Sequence, residues 1–91
     1  QNVEALVALG VVQKRQGNIS GAKASFMKAI EVGPEDPYAR FNLAVLQADD
    51  LHRPTEAARL FREVVQMSGA SENLKDLARA YVTELLPVVA R

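Results

Sequence analysis

The chain has 91 residues, 48% of them apolar and 24% charged, with 11 basic and 11 acidic side chains and no net charge. That composition supports one small folded domain and argues against disorder. Balanced charge gives no field to steer the chain onto nucleic acid or an anionic membrane, and the absence of cysteine rules out disulfides, thiolate metal sites and cysteine nucleophiles. No apolar run approaches the ~20 residues of a bilayer span. The compartment stays open, with cytoplasm and periplasm both compatible, and the Ala-, Val- and Arg-rich usage is of a kind common in bacterial proteins. Gln1 stands where a helix begins, so the sequence reads as a piece of a longer protein.

Residues 3–16 read as a first helix, with Leu6, Leu9, Val12 and Gln13 near the 3.6-residue period and Gly17-Asn18 as its stop. Ser20 is the expected N-cap of a second helix over about 21–32, whose apolar stripe is Ala22, Phe26, Ala29 and Ile30. Gly33-Pro34 stops it. Asp36 followed by Pro37 is a cap with proline at the first helical position, and it predicts a third helix over about 37–49 carrying Phe41, Leu43, Ala44 and Leu46. Thr55 is the expected cap of a fourth helix, about 56–68, with Ala57, Leu60, Phe61, Val64 and Val65 inside and Gly69 as its end. Ser71 caps a fifth, expected to run to Leu86, where Pro87 interrupts it. No strand-like alternation occurs, so the chain is predicted all-α.

These segments repeat. Leu9-Gly10 recurs as Leu43-Ala44 and as Leu77-Ala78, and Ala22, Phe26 and Ala29 recur with the same internal spacing as Ala57, Phe61 and Val64. A fixed period of this length marks an array of helix–turn–helix units, none of which can bury its apolar face alone. The units are 1–36, 37–70 and a partial third unit or capping helix over 71–91.

The first unit resembles a tetratricopeptide repeat. Leu6, Leu9, Gly10, Gln13, Gly17, Ala22, Phe26, Ala29 and Pro34 occupy the family's pattern positions, with Leu6 for the usual Trp and Gln13 for the usual Tyr. The second unit matches through Arg40, Leu43, Ala44, Gln47, Ala57, Phe61 and Val64, with Gly69 in place of the closing Pro and an extra residue in its turn. The third matches through Leu74, Leu77, Ala78 and Tyr81. The resemblance implies five helices in helical hairpins, forming a fragment of a right-handed superhelix. In it Gly10 and Ala22 are small where two helices cross, and Phe26 fills the gap between units.

The resemblance also implies a protein-binding groove lined by the first helix of each unit. Carried onto this sequence, the groove holds Val7, Val11 and Lys14, then Tyr38, Phe41, Asn42 and Val45, then Lys75 and Arg79, with Glu4, Glu72 and Asp76 as anionic neighbours. The family's clamp for a carboxylate terminus is not expected. Asn42 matches one of its places, but Val7, Val11, Glu72 and Asp76 occupy the others, and acids and apolar groups cannot hold a carboxylate. An apolar strip of Val7, Val11, Phe41 and Val45 remains, suited to a peptide or helix with apolar anchors. Phe41→Glu should then abolish binding. The same strip also fits ordinary core packing against a neighbouring helix.

The alternative is self-assembly, with Leu77, Tyr81, Leu85 and Leu86 of the fifth helix meeting a second copy. No catalytic role is expected: His52 near Asp49 and Asp50 is a poor ligand set, the serines lie in no nucleophile motif, and no glycine-rich loop cradles a phosphate. No cofactor or metal is implied, and neither nucleic acid nor membrane is an expected partner.

Overall fold

The computed structural model describes residues 2–89 and contains five helices in chain order: α1 (Val3–Arg15), α2 (Ile19–Val32), α3 (Pro37–Asp49), α4 (Pro54–Gln66) and α5 (Glu72–Val89). The described residues contain no strand. The first and third predicted units extend to residues 1, 90 and 91, which lie outside the described range. Helix α1 packs on α2 and α3 on α4 as two hairpins; α2 and α1 both touch α3, and α5 covers α4. The molecule measures 37 × 30 × 18 Å, and its thinnest dimension is that of two packed helices.

Small residues let the helices approach. A Cβ at Gly10 would collide with the Phe26 ring, so a larger residue where α1 crosses α2 would force that ring to move. Phe26 therefore seats on its own hairpin, rather than serving only as a filler between units. The shared core runs from Ala22 and Phe26 through Leu43, Ala44 and Leu46 to Ala57, Leu60, Phe61 and Val64, and continues into Leu74 and Ala78 of α5. An aromatic group lies where the second hairpin meets α5. Tyr81 stacks on Phe61 with ring centres 4.6 Å apart, and Phe41 meets both edge-on at 5.5 and 6.0 Å.

Several helix ends differ from expectation. The cap of α2 is Asn18, not Ser20: its Oδ1 accepts the Gly21 N–H at 3.0 Å. Gly17 supplies the left-handed turn before it, at φ 80°. In α4 it is Pro54, not Thr55, that opens the helix, because its fixed φ suits the first helical position. That places Arg53 at the cap, where it makes no side-chain capping bond. His52, one residue earlier, takes the left-handed conformation that Gly17 takes in the first hairpin, at φ 54°. Helix α4 ends at Gln66 rather than Ser68. Asp36 and Ser71 cap as predicted, accepting from Tyr38 N–H at 2.8 Å and Leu74 N–H at 3.1 Å. Pro87 does not stop α5, which continues to Val89. A proline in the last turn forfeits one hydrogen bond, and few turns follow for it to disrupt.

Candidate functional site: a cleft between α1 and α3

The main cleft, about 630 Å³, opens where the start of α1 faces the start of α3. Glu4, Val7 and Ala8 reach it from α1, and Pro37, Tyr38 and Asn42 from α3. Glu35 and Asp36 enter from the connection before α3, and Gly69 from the connection after α4. The helical period puts Glu4, Val7 and Ala8 on one face of α1. The cap at Asp36 and the proline after it fix the first turn of α3, which holds Tyr38 at the edge. Tyr38 is 54% exposed, an unusual position for a tyrosine ring beside an apolar floor. Asn42 is anchored by donating Nδ2–H to the Tyr38 carbonyl at 2.8 Å, which leaves its amide oxygen as an acceptor.

Of the nine residues expected to line the groove, this cleft brings together Val7, Tyr38 and Asn42. The other six are placed elsewhere. Phe41 is half-buried in the aromatic group with Phe61 and Tyr81, and Val11 and Val45 pack against the core. All three, like Val7, are partly buried and pack against the core while keeping part of their surface exposed. Phe41→Glu would disturb the packing on Phe61 and Tyr81 as well as any groove surface, so it does not separate the two readings. Lys14 faces Asp50 at the end of α3, 3.6 Å away, and so ties α1 to α3. Lys75 and Arg79 pair within α5 with Glu72 at 3.6 Å and Asp76 at 2.9 Å. Arg79 lines a separate, smaller cleft between α4 and α5, with Arg62, Val65 and Val82.

Glu35, Asp36, Pro37 and Gly69 were not foreseen as part of the site. They lie on connections or a helix start, and only the folded chain brings Gly69 beside residues more than thirty positions away. The sequence carried no periodic signal for them. Arg40 takes the place held by Leu6 in the first unit for a local reason. Its guanidinium donates to the Pro34 carbonyl and pairs with Glu63 of α4 at 3.2 Å, bridging the second hairpin.

On α5 the expected contact surface divides. Tyr81 and Leu85 turn toward the core, while Leu77 and Leu86 are exposed at 54% and 44%, with Val88 beside them. Burial pushes the Tyr81 phenol above its ordinary value near 10, and the carboxylates of Asp49 and Glu84 push in the same direction. Among the described residues no group of three His, Cys, Asp or Glu side chains is placed to hold a metal, and no helix is long and apolar enough to cross a membrane. Comparison with protein-family models, curated proteins and solved structures finds no match for this chain.

Proposed function

We propose that this chain is a tetratricopeptide-type interaction module, part of a larger protein, which binds a peptide or helical segment of a partner without catalysing a reaction. The observation that carries the reading is the cleft between α1 and α3, with its apolar floor of Val7, Ala8 and Pro37 and an exposed tyrosine at its edge. Such a site, largely apolar with a few fixed polar groups, suits the capture of one or two side chains. A cleft this short buries little area, so affinity should be on the order of micromolar. The repeat pattern supports the same reading, since hairpin arrays present extended surfaces to partners.

Selection of displayed random peptides on the 91-residue chain, run beside Ala8→Gln, tests it. Ala8 is exposed, so the longer side chain fills the cleft without entering the core. Enrichment of a motif that disappears with Ala8→Gln supports the cleft; a motif that persists unchanged refutes it.

A second reading, self-association through α5, rests on the exposure of Leu77, Leu86 and Val88. Mass in solution that rises with concentration and falls back with Leu77→Glu would favour it.

A further inference from the structure

We infer that the cleft takes a cationic, aliphatic segment of a partner protein: a Lys or Arg side chain held among Glu4, Glu35 and Asp36, next to a Leu-like side chain laid on Val7 and Ala8. This rests on the reading of the cleft as a peptide site and specifies its chemistry.

The chain as a whole carries equal numbers of acids and bases, yet every charged residue lining the cleft is acidic. The bases once assigned to the groove are already matched: Lys14 to Asp50, Lys75 to Glu72 and Arg79 to Asp76. Among the described residues Glu4 and Glu35 take part in no ion pair, and Asp36 uses one oxygen to cap α3. Three carboxylates therefore gather around an apolar floor with no ion-pair partner among the described residues. Walls of low polarizability sharpen their combined field, which attracts positive charge and repels an acidic segment.

Hydrogen-bonding capacity points the same way. The carboxylates only accept, and Asn42 has committed one of its two amide hydrogens to the Tyr38 carbonyl, leaving its oxygen and one hydrogen. Apart from the Tyr38 hydroxyl and the second Asn42 amide hydrogen, the polar side-chain groups of the cleft are acceptors. Guanidinium and ammonium groups are donors without acceptors, which is the matching set. The exposed face of Tyr38 offers a further contact to a cation. The aliphatic part of the ligand follows from Val7, Ala8 and Pro37, which give the cation's neighbour a dry surface.

The test uses three fluorescein-labelled peptides with the same Leu-Leu core, flanked by Arg, by Ser or by Glu. Each is titrated into the 91-residue chain, its E4Q/E35Q variant and Ala8→Gln, with fluorescence anisotropy as the readout. Glu4 and Glu35 are exposed, so the double variant should fold, and circular dichroism checks this. The Arg-flanked peptide should bind about tenfold tighter than the Ser-flanked one, with the Glu-flanked peptide weakest. That order should collapse in E4Q/E35Q, and added salt should weaken only the Arg-flanked complex strongly. Equal binding of the Arg- and Ser-flanked peptides, both lost with Ala8→Gln, overturns the cationic preference and leaves a peptide cleft standing. An Arg preference that survives E4Q/E35Q also overturns it, since the attraction would come from another surface. Binding that ignores Ala8→Gln, or no binding by any of the three, overturns both the inference and the cleft.

Discussion

Gln13 and Gln47 occupy the same place in successive units, yet removing their amides should shift stability in opposite directions. In the first hairpin Gln13 Oε1 accepts the Ser25 hydroxyl at 2.6 Å, and Ser25 is buried. In the second, the place of Ser25 is taken by Leu60, also buried, so Gln47 has no such donor. Gln47 is 4% exposed, and its Oε1 is both inaccessible to solvent and unpartnered. A buried polar atom without a partner costs about 1–3 kcal/mol. Methionine keeps the length and flexibility of the side chain and removes the polar atoms. Gln47→Met should therefore stabilise the fold by about 1 kcal/mol, after loss of whatever its amide nitrogen gains from water. Gln13→Met leaves the Ser25 hydroxyl stranded and should destabilise by about 1–2 kcal/mol. Adding Ser25→Ala should recover most of that loss, because the orphaned group goes with its partner. Urea melts followed by far-ultraviolet circular dichroism measure all three. For a domain of this size, 1 kcal/mol is about 4–8 °C in Tm, so heat melts would also resolve them. If Gln47→Met destabilises as much as Gln13→Met, the two amides are equally satisfied and the reasoning is wrong.

Phe41→Ala should cost about 2–3 kcal/mol in the same melts, since it removes a half-buried ring from contact with Phe61 and Tyr81; a loss below the noise would return Phe41 to the surface. Arg53→Asn should add about 1 kcal/mol by giving α4 the side-chain cap that Asn18 gives α2, less the small contribution of the exposed Arg53–Glu56 pair. Tyr81 should make the fold sensitive to alkali. Its phenol titrates higher in the folded chain than in the unfolded one, so its share of stability is complete below pH ~10 and is lost as pH rises through the folded value. Tyr81→Phe should fall less in stability between neutral pH and pH ~11 than the parent, and parallel profiles would remove the phenol from the account.

The sequence by itself determined the helices, their order and most of the core, because the 3.6-residue period and the repeated spacing act within a single segment. Asp36-Pro37 and Ser71 were legible for the same reason: a cap needs only residues three or four apart. Where the expected cap was Ser20 or Thr55 and the helix begins after Asn18 or Arg53 instead, the local signal was off by two residues. The groove was less legible. An apolar residue on a helix face looks the same whether a partner or another helix of the same chain will cover it, and only packing shows that Val7, Val11, Phe41 and Val45 are partly buried against the core. Charges behaved likewise. Lys14 read as a free cation until the fold set Asp50 against it, while Glu4 and Glu35 lay on separate elements until α1 and α3 came together. Helical periodicity is a property of one segment and survives in the sequence; which acids share a cleft, and which bases are already spent, depends on distances between segments that exist only once the chain has folded.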